Sequence, residues 1–188
     1  MRKYIESMPM LRKLSKIYTP YNGLLLIVTI LLCIFQAYTE VIAQNTETIT
    51  SSITMPVKVI DGDSLEIGTN RIRLIGIDAP EYDQYCKRNN KKYNCGKESI
   101  TFLKQLISTN PISCKIHSID KYDRFLCTCY INNTDINAEL IKNGHALAYI
   151  DSSYTKEQNE AKLNKRGLWN SEFMHPRLFR RLKESQKN

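Results

Sequence analysis

Histidine is scarce in this sequence and poorly spaced for metal chemistry. His117, His145 and His175 form no ligand pattern, and each reads as structural or exposed. Neither histidine nor cysteine falls near the chain's two acidic turns, which excludes a zinc centre there. Long apolar runs are equally rare. Residues 24–35 form one, interrupted only by Thr29, and it is shorter than the roughly 20 residues that span a bilayer comfortably. There is one tryptophan, Trp169, expected to seal the core. A chain of 188 residues can build one domain with a real core and is too short for two large ones.

What is plentiful is positive charge. The formal net charge is +8, and from Pro56 onward 22 basic residues face 16 acidic ones, or +6. The folded part is therefore basic, which favours polyanionic partners, nucleic acid or an anionic membrane surface. Arg2, Lys3, Arg12, Lys13 and Lys16 against Glu6 precede the apolar run, and the small residues of Val41-Ile42-Ala43 follow it. Basic-then-apolar order reads as an export signal over 1–43, with a retained membrane anchor as the alternative. In a bacterium this places the protein beyond the cytoplasmic membrane, secreted or periplasmic, or tethered to that membrane. Residues 44–55 are polar, repeat Thr and Ser, and read as a linker. The domain is expected over 56–170, followed by a basic tail over 171–188 that frays.

The informative stretch is 61–81, DGDSLEIGTNRIRLIGIDAPE. Asp61-Gly62-Asp63 and Asp78-Ala79-Pro80-Glu81 bracket a predicted hairpin with its reversal at Gly68-Thr69-Asn70. Leu65 and Ile67 share strand parity with Asp63, so a buried face would carry the Asp63 carboxylate at its rim. Ile72, Leu74 and Ile75 make the returning strand apolar, and Arg71 and Arg73 lie on it. Asp63 and Asp78, with a backbone carbonyl of the second turn, are hard oxygen donors that suit calcium or magnesium. Glu81 is placed to polarise a water and Arg73 to neutralise a phosphate.

Further along, Cys86 and Cys95 are expected to close a basic loop as a disulfide, setting Lys87, Arg88, Lys91 and Lys92 beside the acidic turns. Apolar spacing predicts a helix over 97–107 that ends before Asn110-Pro111. Strands are predicted over 112–119 and 125–131, with Cys114 pairing Cys129 and Cys127 left as a buried thiol; Cys114 with Cys127 is the alternative. The turn Asp120-Lys121-Tyr122-Asp123-Arg124 offers Arg124 as a second phosphate clamp, since its planar fork binds phosphate oxygens in pairs. Asp135 or Asn137 can cap a short helix that stops at Gly144. Thr155-Lys156-Glu157-Gln158 reads as a capping box that opens a helix over 156–166.

Arg73, Asp78-Ala79-Pro80-Glu81 and Asp120-Lys121-Tyr122-Asp123-Arg124, in that order, resemble the staphylococcal nuclease family over roughly 56–170, including the closing Gly-Leu-Trp. The resemblance implies an α+β, mainly β fold: a five-stranded oligonucleotide-binding-type barrel with three helices, here preceded by the hydrophobic signal or anchor segment. It implies calcium-dependent endonuclease activity on DNA and RNA that leaves 3′-phosphate ends. Carried over by motif position, Asp63, Asp78 and the Ala79 carbonyl would hold Ca2+. Arg73 and Arg124 would bind the scissile phosphate, and Glu81 would act as general base. Lys121, Tyr122 and Tyr149 are the substrate-binding candidates, the tyrosines falling where the family lines its nucleotide pocket. The Cys86–Cys95 loop is similar to that of exported bacterial relatives. Two departures stand out: Ala79 replaces a usual threonine, and Asp123 replaces a usual glycine.

A non-catalytic barrel that binds single-stranded nucleic acid is the competing reading. It has no need of an acidic cluster, which repels phosphate unless a metal is present. A membrane-tethered scaffold is a third class. A monomer is expected.

Overall fold

The computed structural model describes residues 20–44, 47–52, 54–149 and 152–186. The chain divides into two compact units, one ending at Thr46 and the other beginning at Glu47. In the first, Pro20–Gln44 form helix α1, with Leu24, Leu25, Leu31 and Phe35 exposed. Among the described residues no helix is long and apolar enough to cross a membrane. The basic residues expected to open an export signal lie outside the described residues.

The second unit is built on a mixed sheet that curls as a half-barrel. Its strands are β1 (Thr48–Thr50), β2 (Val57–Asp61), β3 (Ser64–Ile67), β4 (Asn70–Leu74), β8 (Ser113–Ile119) and β9 (Phe125–Ile131), in the order β1-β8-β9-β4-β3-β2. A short β10 (Thr134–Asp135) is added on β9. Two small pairs lie apart from it: β5 (Ile77–Asp78) with β11 (Leu147–Ala148), and β6 (Tyr85–Arg88) with β7 (Lys91–Asn94). Among its described residues this unit has four helices, α2 (Cys95–Ile107), α3 (Ile136–Lys142), α4 (Thr155–Leu163) and α5 (Pro176–Ser185), with a 3-10 turn over Gly167–Asn170. The α+β architecture expected from the resemblance is present, but among the described residues the sheet is an open half-barrel of seven strands in place of a five-stranded barrel. Its end strands β1 and β2 are not neighbours, and there are four helices in place of three.

The predicted hairpin is β3–β4, paired Leu65↔Ile72 and Ile67↔Asn70, with Gly68 at φ 61° in the reversal. Leu65, Ile67, Ile72 and Leu74 are all buried and form the core with Leu103, Ile112, Ile136 and Leu140. β4 runs parallel to β9, Ile72 opposite Phe125, which brings the 120–124 turn to the end of the sheet where β4 begins, and Arg71 Nη1 donates to the Tyr122 carbonyl. Cys114 faces Cys129 across β8 and β9, and the two form a disulfide, as do Cys86 and Cys95. Burial pushes the remaining Cys127 thiol up to about 11, so it stays protonated among its apolar neighbours.

Five expectations need correction. The supposed linker contains β1, because alternating Thr-Ile-Thr suits an edge strand; Ile49 packs on the core and Ser51 exchanges hydrogen bonds with Ile112. The loop between Cys86 and Cys95 is an ordered hairpin in which two of the four basic residues are already paired: Arg88 binds Glu98 and Tyr93, and Lys87 pairs with Glu172. The basic tail folds as α5, since Pro176 presets its first turn and the His175 ring accepts from the Arg177 N–H. Thr155 caps nothing: α4 begins after Tyr154 without a side-chain cap and ends at Leu163. Asp135, by contrast, caps α3 by accepting from the Ala138 N–H at 3.0 Å. Trp169 packs edge-on against Phe173 in a smaller cluster with Cys86, Cys95 and Leu168, away from the main core.

Candidate active site

Strand parity puts Asp63 just before β3 on the buried side, and the β5–β11 pair carries Asp78 to meet it; the two carboxylates are 2% and 1% exposed. Two buried anions side by side require counter-charge. Arg73 supplies it from β4: its Nη1 donates to Asp63 Oδ1, and its Nη2 donates to Asp78 Oδ1 at 3.3 Å. The Ala79 N–H donates to Asp63 Oδ2 at 2.8 Å, so the second acidic turn is fastened to the first by backbone. Gly62 is required between them because a Cβ there would lie 2.7 Å from that of Ala79 and 2.4 Å from Ser99 Oγ.

These environments set the protonation behaviour. Burial, then the charge of Asp63, pushes the Asp61 carboxyl up to about 6. Burial likewise raises Asp63, against the pull of Arg73 and the Ala79 N–H. Burial works to lower Arg73, but Asp63, Tyr149 and Asp78 outweigh it and the guanidinium is raised.

Glu81 follows on a loop clamped from three sides. The Gln84 N–H donates to the Glu81 carbonyl at 2.8 Å, and the fully buried Gln84 side chain donates to the Met174 carbonyl at 2.6 Å. The start of α2 closes on the same loop so tightly that a Cβ on Gly96 would stand 1.8 Å from the Glu81 carbonyl oxygen.

Opposite lies the 120–124 turn. Asp120 Oδ1 accepts from the backbone N–H groups of Tyr122 and Arg124, and its Oδ2 accepts from Arg124 Nε at 2.8 Å. Asp123 adopts φ 58°, the left-handed conformation that glycine enters freely and aspartate tolerates, so the turn keeps its form despite that substitution. Arg73, Glu81 and Arg124 line one cleft of about 1110 Å³, with Asp61, Tyr122 and Tyr149. Both tyrosines are exposed, Arg124 reaches the Tyr122 ring, and Tyr149 favours the charged form of Arg73. Lys121 lies over the Tyr122 ring at 5.0 Å and does not line the cleft.

Two contributors were not foreseen from sequence. Gln84 sits in a polar loop with nothing to single it out. Arg180 belongs to the tail expected to fray, although Pro176 followed by charges at helical spacing was a signal for a helix. Arg180 Nη1 donates to Asp78 Oδ1 at 2.9 Å and to Glu81 Oε1 at 2.7 Å, and its Nη2 donates to Asp78 Oδ2 at 3.1 Å.

Carboxylates with a backbone carbonyl nearby form a hard donor set that suits calcium or magnesium. A cation is already drawn to it, since the Arg180 guanidinium sits between Asp78 and Glu81. Among the described residues, no three His, Cys, Asp or Glu side chains are gathered so as to hold a metal ion by themselves. The chemistry of the donors fits a divalent cation, while arginines hold their oxygens.

Residues 71–171 match the family of staphylococcal nuclease homologues. Among curated proteins, the chain is 37% identical over 123 residues to the succinoglycan biosynthesis protein ExoI of Rhizobium meliloti, covering 62% of this chain and 64% of that one. It is 36% identical over 105 residues to the probable staphylococcal-like nuclease CAN2 of rice, covering 54% of this chain and 26% of that protein. To an uncharacterized endonuclease of Escherichia coli O157:H7 it is 33% identical over 122 residues, covering 60% and 74%.

Proposed function

We propose, because the chain belongs to the staphylococcal nuclease homologue family, that it is a calcium-dependent endonuclease hydrolysing phosphodiester bonds of DNA and RNA. The observation that carries this reading is the meeting of Arg73, Glu81 and Arg124 on one cleft, above a buried pair of carboxylates that a binding protein would not need. Asp63, Asp78 and the Ala79 carbonyl would hold calcium, which when bound supplies positive charge to the phosphate.

The chain's own groups do the rest. Glu81 orients a water and takes its proton as the water oxygen attacks phosphorus in line. The bond from phosphorus to the 5′ oxygen breaks, leaving a 3′-phosphate end and a 5′-hydroxyl that takes its proton from solvent. Arg73 and Arg124 donate N–H groups to the non-bridging oxygens, where negative charge grows. Tyr122 and Tyr149 offer ring faces on which bases stack, and Lys121, over the Tyr122 ring, adds positive charge outside the cleft lining. The basic balance of the chain draws polyanions toward the cleft.

Export of the monomer beyond the cytoplasmic membrane, by a cleaved signal or a retained anchor within 1–43, accompanies this reading. It is supported by the basic-then-apolar order of that segment and by the Cys86–Cys95 and Cys114–Cys129 disulfides.

The test is digestion of single-stranded DNA and RNA by the full chain, with calcium and with a chelator, beside Glu81→Gln. Calcium-dependent cleavage that the variant loses while still binding calcium is the expected result. Salt-sensitive binding without cleavage in either condition would replace the nuclease with a single-strand-binding barrel.

A further inference from the structure

The last helix is fastened to the rest of its unit chiefly by charge. Pro176 is its only buried residue, Phe179 is half-buried, and Leu178 and Leu182 face outward at 48% and 44% exposure. Apolar burial therefore contributes little to docking. What holds α5 is Arg180 on Asp78 and Glu81 and Lys183 on Asp83, with the Gln84 side chain gripping the Met174 carbonyl just ahead of the helix. Arg180 uses both oxygens of Asp78 and one of Glu81. The Asp78 oxygens are ones a divalent cation would need, and α5 lies beyond the 71–171 segment shared with the family.

We propose that α5 is a cation-operated latch, in which Arg180 and a divalent metal ion compete for Asp78 so that metal binding releases the helix from the mouth of the cleft and Glu81 from Arg180. The inference rests on the metal-binding part of the proposed function. Asp78 is buried and needs counter-charge; Arg73 supplies part of it through one oxygen, and Arg180 completes it on both oxygens until another cation arrives. A guanidinium and a metal ion cannot share the same two oxygens, because like charges repel strongly at that separation in a partly buried site. Exchange of one cation for the other costs far less than losing either. It also frees Glu81 from Arg180, and Arg180 and Arg177, which both line the cleft, become available to a polyanion.

The test uses the full chain without nucleic acid. Calcium chloride is titrated by calorimetry into the wild type, Arg180→Ala, Arg180→Lys and Arg181→Ala, and amide hydrogen exchange over 176–186 is followed with and without calcium. Arg180→Ala should bind calcium about tenfold or more tightly, the scale of a charge-assisted hydrogen bond, and should show fast exchange in α5 before calcium is added. Arg180→Lys, which keeps the charge without the fork, should fall between. Arg181→Ala, on the exposed side, should match the wild type, whose α5 amides should exchange faster once calcium binds. Unchanged protection of α5 on calcium binding, with equal affinity in Arg180→Ala, would overturn the latch. So would the absence of calcium binding in all four proteins. Competitive binding without any cleavage would sustain the latch and remove the nuclease reading instead.

Discussion

The two walls of the cleft are built on opposite plans. The 120–124 turn is self-contained: one carboxylate, Asp120, fixes the backbone and the guanidinium of Arg124 within four residues. The acidic wall depends on distant chain. Asp63 is held by Arg73 and Ala79, and Asp78 by Arg180, 102 residues away. The same residue type, arginine facing a carboxylate, is thus a surface pair on one wall and part of the buried framework on the other. Their contributions to stability should differ even if their contributions to turnover do not.

The largest expected contrast is between Arg73→Ala and Arg124→Ala. Each should lower turnover by about a hundredfold or more, the effect of removing one preorganised donor from a charged transition state. Only Arg73→Ala should also cost about 3–5 kcal/mol of folding stability, because it strands a buried carboxylate. Arg124→Ala, breaking a partly exposed pair, should cost about 0–1 kcal/mol. Denaturant melts beside single-turnover rates separate the two effects, and equal stability losses would erase the distinction between the walls.

A smaller effect separates the walls by pH. On the acidic side the Asp61 carboxyl is raised from 3.8 to about 6. The folded state therefore holds its proton more tightly than the unfolded chain. The stability this contributes is fully present below the unfolded value and is lost as pH rises through about 6. On the other wall, slight burial is outweighed by hydrogen bonds from Arg124 and Tyr122, and Asp120 is held below its usual range. Its contribution is present above the ordinary carboxylate value and is lost in more acid solution. Melts of the chelator-treated protein across this range should show Asp61→Asn flattening the upper part of the profile and Asp120→Asn the acid end. A profile unchanged by Asp61→Asn would mean that this carboxyl is not what the pH dependence reports.

The smallest expected effect is Asp123→Gly. The turn already has the left-handed conformation, so stability should change by less than about 0.5 kcal/mol. Removing a negative charge beside Arg124 should raise turnover and tighten DNA binding at low salt. A fall in either would show that Asp123 serves the site.

The same division explains how much could be read in advance. The β3–β4 hairpin, the burial of Leu65 and Ile67 in step with Asp63, the strand over 125–131 and the Cys86–Cys95 disulfide were legible because period and spacing are local properties of the chain, whereas the choice of Cys129 over Cys127 as the partner of Cys114 was made by the β8–β9 register. So was the 120–124 turn, whose bonds span four residues. The supposed linker and tail misled because Thr48–Thr50 and Pro176–Ser185 gain their partners only from distant residues, Cys114 and Lys115 in one case and Asp78 and Glu81 in the other.

By itself, then, the sequence determined the local placement of several site groups: strand parity puts Asp63 on the buried face, and a short turn positions Arg124. Tertiary structure alone decided how the buried carboxylates are neutralised. Strand alternation and turn chemistry act over a few residues, whereas the counter-charge for a buried anion can come from any residue that the fold brings within a few ångströms, and here much of it comes from α5.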